Sequence, residues 1–493
     1  MKLLKKTFAI ACATALTIAI VPAHAQSRTT VHHHYKLVSL GTFGGPNSFL
    51  YGFTKPINVR GAVTGCAETA LLDPNLSIQN PYFGGDAYIQ HSYRRSNGVR
   101  TRLKELPGGA NSCTQWMNDF GVVVGASDTG VIDPLTGLQQ IRAVLWDEKG
   151  KAYNLGTIGG NGSVAWAINN AGQVTGNALN AIPDDFNFDG SFGILGATQT
   201  HAFLWENGIM KDLGTLGGPD SGPYAINGKG QVVGFAMTSF IANPSTGSPT
   251  VDPFFWDGTR MVDLGSLGGT NGTAVDVNDR GQVTGDSFLA GDDPWQKHAF
   301  LWPGSDGKMI DLPTLGGGSE SKAINELGDV TGASWPEGGD VHAILWHKGK
   351  LLDLGVVPGD VCAEGMAINS RGQVVGFSNH DVCVTEDHSH GFLWENGALF
   401  DLNQLISNST NLTVIEGVRI NEQGEIAGRS ITPEGDNRAV VLIPCDERHP
   451  NLEGCDYSAV EESVAQRASS DVRRPSERMR SEPRPRFIAG ARR

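Results

Sequence analysis

The segment HAFLWENGIMKDLGTLGGPDSGPYAINGKGQVVG, residues 201–234, holds four short apolar runs separated by turn chemistry. Each run has strand length and is rich in Val, Ile, Phe and Trp, so the segment predicts four β-strands. Asn-Gly stands between the first two runs at Asn207-Gly208, and again at Asn396-Gly397 in another copy, the pair that favours a tight type I′ hairpin. Asn-x-x-Gly, as in Asn169 to Gly172 and Asn369 to Gly372, similarly turns the AIN strand into the GQVVG strand.

The unit recurs along most of the chain. Its "IN" asparagine stands at 58, 118, 169, 227, 278, 325, 369 and 421, a mean spacing of about 52 residues, within the range of propeller and solenoid repeats. The HAFLW half recurs at His91, Arg142, His201, Pro253, His298, His342, His390 and Arg438. Four strands per repeat compose one propeller blade. The AIN strand carries small residues, as in Ser163-Val164-Ala165-Trp166-Ala167, which suit the crowded centre, so the expected order is AIN innermost, then GQVVG, FLW and DLG. The repeat begins on a lone DLG-type strand, Tyr35 to Leu40, while the last unit lacks its own. The first strand therefore completes the last blade, which predicts an all-β, eight-bladed propeller over residues 35–444, closed by the N-terminal strand and free of open edges. A β-solenoid is the alternative for such a period.

Composition agrees. The 65 Gly and 24 Pro, with only 18% charged residues, suit many strands and turns, and the absence of a three-residue glycine period rules out collagen. The net charge of −14 argues against a nucleic-acid partner. Lys2, Lys5 and Lys6 precede an apolar run from Thr7 to Val21, followed by Ala23-His24-Ala25, so residues 1–25 read as a cleaved secretory signal. No later stretch is apolar enough to span a membrane. Once Cys12 leaves with the signal, six cysteines fall into neighbouring pairs, and disulfides are expected between Cys66 and Cys113, Cys362 and Cys383, and Cys445 and Cys455. No CxxC supports zinc as the rival reading. Residues 445–466 form a short Cys-bridged extension. From Arg467 to the end, nine Arg stand against three acidic residues with few apolar ones, the composition of a disordered basic tail.

These residues resemble the extracellular HAF repeat proteins, named for the His-Ala-Phe that stands at His201 and His298 and, as His-Ala-Ile or His-Gly-Phe, at His342 and His390. The resemblance covers about residues 35–444 and implies export and a repetitive β architecture; it brings no catalytic residues. The departures at His91-Ser-Tyr, Arg142, Pro253 and Arg438 argue against a universal chemical role for the histidine.

The segments between GQVVG and HAFLW vary widely in length, and variable loops on a rigid scaffold are where function usually resides. They emerge on the face that carries the crossings between blades, the top face. The repeated His residues, the Trp residues at 146, 205, 256, 302, 346 and 394, and the Asp residues at 212, 263, 311, 353 and 401 are assigned to hydrogen bonding and packing. Trp295 and Trp335 fall outside that register, in variable loops, and are the carbohydrate-stacking candidates. Asp185, Asn187 and Asp189, at alternating positions before Gly190, form a calcium-loop candidate, although Gly196 at the twelfth position excludes an EF-hand. No other cofactor is expected, and no GxSxG, HExxH or P-loop is present. The expectation is a secreted or periplasmic, monomeric, non-enzymatic propeller that presents top-face loops to a carbohydrate, an envelope polymer or an extracellular protein. The alternatives are an extracellular glycan hydrolase or lyase on the same scaffold, and a self-assembling surface protein.

Overall fold

The structure, a computed structural model, describes residues 32–50, 54–184, 198–244, 246–293, 295–304, 307–381, 383 and 388–460, together with the backbone of 466–467. The chain is an all-β propeller. Among the described residues the strands form eight four-stranded antiparallel units; units 4 and 5 share one sheet through a single parallel pairing of Val251 with Asn271. Unit 3 shows the plan: Ser163–Ile168 innermost, then Val174–Pro183, Thr198–Glu206 and Ile209–Asp212 at the outside. This is the radial order expected from the small residues of the AIN strand. Unit 8 comprises Thr413–Ile420, Ile426–Ile431 and Asn437–Pro444, and its outer strand is Tyr35–Ser39, paired from Tyr35 with Pro444 to Ser39 with Val440. Asn408 fixes that closing strand from the other side, its Oδ1 accepting from Leu37 N–H at 2.8 Å and its Nδ2 donating to Leu37 C=O at 3.1 Å.

The centre of the ring is held by the "IN" asparagines. In each, Oδ1 accepts backbone N–H groups from the turn that follows; for Asn278 these come from Arg280 at 3.1 Å and Gln282 at 3.0 Å. The Nδ2 then donates to the backbone C=O of the next unit's asparagine. The bonds run from Asn58 to Asn118, Asn169, Asn227, Asn278, Asn325, Asn369 and Asn421, and Asn421 Nδ2 returns to Asn58 C=O at 2.9 Å. All eight asparagines are buried. A closed cycle of this kind sets aside the solenoid alternative.

One residue before each asparagine's last turn, the inner strand carries a bulge. In units 2 to 8 the register skips Gln115, Trp166, Tyr224, Val275, Lys322, Met366 and Val418. A bulge re-aims the extra side chain out of the ladder, here at the innermost edge. It also brings the inner backbone against the second strand. A Cβ on Gly234, Gly285 or Gly332 would press into the carbonyl of Gly222, Thr273 or Glu320, which is why glycine closes the GQVVG run.

All three disulfides pair as the sequence predicts. Cys66–Cys113 ties unit 1 to unit 2, Cys362–Cys383 braces unit 7, and Cys445–Cys455 closes the loop after the last strand. The extension folds back on the chain's start, with Cys445 N–H donating to His34 C=O at 2.8 Å and Val460 N–H to His32 C=O at 3.0 Å. Gln466–Arg467 then adds a short fifth strand to unit 7, against Ala398 and Leu399. Residues 1–25, read above as a signal, and the tail beyond Arg467 lie outside the described residues. No helix among the described residues is long and apolar enough to cross a membrane.

The cycle makes a direct prediction. Asn278→Ala removes two acceptor bonds in its own turn and the donor bond to Asn325 C=O, 3.1 Å, at a buried position. It should destabilise the protein by about 1–3 kcal/mol, the cost of leaving buried partners unmet, measured as a lowered urea midpoint.

Candidate functional site

The second strands of units 1 to 4 run long, to Leu72, Ile132, Pro183 and Ala242, whereas those of units 5 to 8 end at Leu289, Ser334, Asn379 and Ile431. The top face is therefore high on one side and low on the other. The chemistry gathers on the low side, in units 5 to 7.

Trp295 lies in the top loop of unit 5 and Trp335 in that of unit 6. The structure brings them together edge to face, ring centroids 6.2 Å apart at 82°, with Trp335 Nε1 donating to Trp295 C=O at 3.2 Å. Both are half-buried. Trp335 is held from below by Gly318, where any Cβ would meet the indole, and from the side by the Cys362–Cys383 bridge with Ala333 and Val341. Here the disulfide has a role beyond stability, because it buttresses an aromatic surface.

Two residues along the chain from this pair begins a half-buried charge cluster. Lys297 Nζ lies 2.5 Å from Glu320 and 3.4 Å from Asp286; Lys322 Nζ lies 2.7 Å from Glu320 and 3.3 Å from Glu364. Three carboxylates thus face two ammonium groups. Burial opposes ionisation of Glu320, but Lys297 and Lys322 outweigh it and hold that carboxyl below the usual glutamate range. Burial likewise works against both lysines, and their carboxylate neighbours hold them charged. Asp286 is raised, chiefly by burial. Burial also pushes Glu364 up to about 7, with Lys322 opposing and the charge of Glu320 adding to the shift. Tyr224, the bulge residue of unit 4, packs half-buried near the same charges, and desolvation, with Asp286 adding to it, pushes its phenol up to about 12. The site thus pairs a carboxylate fixed in its ionised form with a carboxyl that titrates near neutrality, on either side of one ammonium group.

The remaining sequence candidates separate cleanly. The repeated histidines form no ring: His201, His298 and His342 each pair with the outer-strand Asp of their own unit, Asp212, Asp311 and Asp353, at 2.8–2.9 Å, and His390 pairs with Asp360 at 3.0 Å. Asp212, Asp263 and Asp353 also cap the following turn through Gly214, Gly265 and Gly355 N–H. Among the repeat tryptophans, Trp146 and Trp346 are buried and donate to Lys104 and Pro313 C=O. The calcium-loop residues Asp185, Asn187 and Asp189 lie outside the described residues. A hollow of about 170 Å³ opens between units 2 and 3, lined by Asp133, Asn161 and Asn180 among small residues, away from the tryptophan pair.

Sequence reasoning overlooked the charge cluster. Its signal was nonetheless present: Glu320, Glu364 and Glu416 stand five residues before their asparagines, and Lys55 and Lys322 three before, in strands otherwise built of small and apolar residues.

No protein-family model matches the chain, and no curated protein matches it. Solved structures with similar architecture include the β-propeller domain of the Trilobed protease from Pyrococcus furiosus, 12% identical, covering 76% of this chain and 97% of that one at a TM-score of 0.40. The Pyrococcus horikoshii acylaminoacyl peptidase is 12% identical over 78% of this chain and 57% of its own, at 0.41, so the chain spans little more than half of that enzyme's length. An oligogalacturonate lyase in complex with manganese is 11% identical over 85% of this chain and 99% of its own, at 0.36. Likeness at this level transfers no activity and no residue role.

Because Glu364 is raised in the folded protein, the native state keeps a proton that the unfolded chain has already released. Its contribution to stability is present at low pH and is lost as pH rises from the usual glutamate value through about 7. Glu364→Gln removes this titration while keeping the side chain's shape. The drop in urea midpoint between pH 5 and pH 8 should therefore be smaller in the variant than in the wild type.

Proposed function

We propose that this chain is an exported propeller of the HAF repeat kind that binds a carbohydrate polymer at the low side of its top face, with Trp295 and Trp335 as the stacking surface. The observation that carries this reading is the meeting of two loop tryptophans from adjacent units, half-buried and braced by a disulfide, directly beside a half-buried polar cluster. Aromatic faces match the apolar faces of sugar rings, and a few fixed polar groups beside an aromatic surface supply orientation. The three disulfides and the N-terminal signal pattern support an oxidising, exported setting. Lys297, two residues beyond Trp295, and Glu320, paired in register with Ala333 two residues before Trp335, are the groups best placed to meet sugar hydroxyls.

A second reading rests on Glu364. Two carboxyls whose environments drive their pKa values apart are the arrangement that acid and base catalysis requires, so a glycan hydrolase or lyase is the competing class.

The test uses the oxidised protein with neutral and acidic polysaccharides, following bound protein and released sugar together. Saturable retention without released sugar is the expected result, with Trp295→Ala and Trp335→Ala each weakening retention about tenfold while the thermal midpoint holds within a few degrees. Sugar release that Glu364→Gln abolishes would establish the enzyme instead. Retention unchanged in both tryptophan variants would remove the site from consideration.

A further inference from the structure

The long second strands of units 1, 2 and 4 end in hairpins that stand clear of the ring. Successive side chains of a strand point to opposite faces, so two neighbours are both exposed only where nothing covers either side of the ribbon. Leu71 with Leu72, Val131 with Ile132 and Phe240 with Ile241 are such pairs, each residue between 43% and 79% exposed. Ile182, also exposed, continues the row across unit 3. Each pair lies at the register shift near the end of its ladder, in the stretches Glu68 to Leu72, Asp128 to Ile132 and Met237 to Ala242.

The tips are braced at their bases. Asp73 Oδ1 accepts Asn75 N–H at 2.8 Å and closes the first tip, while its Oδ2 accepts Asn111 Nδ2 of unit 2 at 2.9 Å. Asp133 Oδ1 serves both purposes in the second, accepting Leu135 N–H at 2.9 Å and Asn161 Nδ2 of unit 3 at 3.1 Å. In unit 4, Asn243 Nδ2 donates to Thr270 Oγ1 of unit 5 at 2.9 Å. The apolar pairs are thus carried at fixed positions along one side of the top face. With Leu135 and Ile182 they offer roughly 900 Å² in each copy, against the about 800 Å² per partner of a standard interface. Exposed apolar surface on this scale marks a contact surface.

Charge selects the partner. The tips, residues 69–80, 129–140 and 238–250, contain no Lys or Arg, and their acids, Asp73 and Asp133, are buried. A lipid-binding surface would set Lys, Arg, Trp or Tyr around its apolar residues, and these tips have none of the four. Two copies of a chain with a net charge of −14 repel one another, but an uncharged apolar crown is complementary to itself. Laid on the low side of another copy, the crown would strip water from Asp286, Lys297 and Glu320, so like meets like. We propose that the chain pairs with a second copy of itself, crown against crown, about a two-fold axis. This interface is separate from the tryptophan pair and does not depend on the carbohydrate reading.

The test is sedimentation of the oxidised protein over a wide range of concentrations, at low and at high salt. A monomer–dimer equilibrium is expected, and added salt should strengthen it by screening the like charges. Leu72→Asp and Ile241→Asp, at exposed positions on different tips, should each raise the dimer dissociation constant at least about tenfold while circular dichroism stays that of the wild type. Trp295→Ala should leave the equilibrium unchanged. A wild type that is monomeric throughout overturns the proposal, and a monomer that co-sediments with phosphatidylcholine vesicles gives the crown to lipid instead. A dimer that persists unweakened in both aspartate variants places the interface elsewhere, and growth beyond the dimer excludes a two-fold contact.

Discussion

Everything in this structure depends on a buried asparagine amide used twice. Its oxygen closes the turn between the first two strands of its own unit, and its nitrogen reaches the matching carbonyl of the next unit. Local folding and ring assembly are thereby written into one side chain. Aspartate would keep the turn but lose the donor and bury a charge, and serine would be too short to reach across the seam. Because the last asparagine must find the first, the cycle also sets the radius of the inner ring, and a unit that packed slightly too wide or too narrow would break two contacts at once. The outer closure, Tyr35–Ser39 on the last unit, then locks a ring whose centre is already continuous.

That division of labour frees the opposite face. The tight turns and the amide cycle share one end of the ring, so the loops between second and third strands vary in length without disturbing it. The long hairpins of units 1 to 4 use this freedom to carry exposed apolar tips, including Leu71, Leu72, Val131, Phe240 and Ile241. Units 5 to 7 use it differently: short hairpins leave Trp295 and Trp335 close enough to touch and uncover the charged residues beside them. The asymmetry arises from loop length alone, on units whose inner frameworks are nearly identical.

The architecture was legible in the sequence because a repeat samples the same physics many times. The strand order followed from small residues in the AIN run, the closure from a surplus strand at one end and a deficit at the other, and the disulfides from cysteines that fall into neighbouring pairs along the repeat. The site was less legible, for a physical reason. Trp295 and Trp335 could be singled out as exceptions to the register, but not as neighbours, since their contact depends on how two loops of different units descend toward Gly318. The charge cluster was missed because the bulge that turns Lys322 out of the ladder has no sequence signature of its own; only the glycine opposite it marks the place. Periodicity reports what every unit shares and is silent about the side chains that bulges and seams bring together.

In a repeat protein, then, the units act as controls for one another. Where Asn111 stands at one seam, Asp220 stands at another on the same strand framework, and each accepts a backbone N–H from the preceding unit. The same comparison applies to the inner strands: Val164 and Gly222 occupy the position that Glu320, Glu364 and Glu416 occupy in later units, and the ring closes equally well with either set. Burying carboxylates and lysines there is costly relative to the apolar residues the scaffold accepts elsewhere. The scaffold carries that cost at Glu320, Glu364 and Glu416, in units 6 to 8, and avoids it in units 3 and 4, so it is a cost that ring closure does not require.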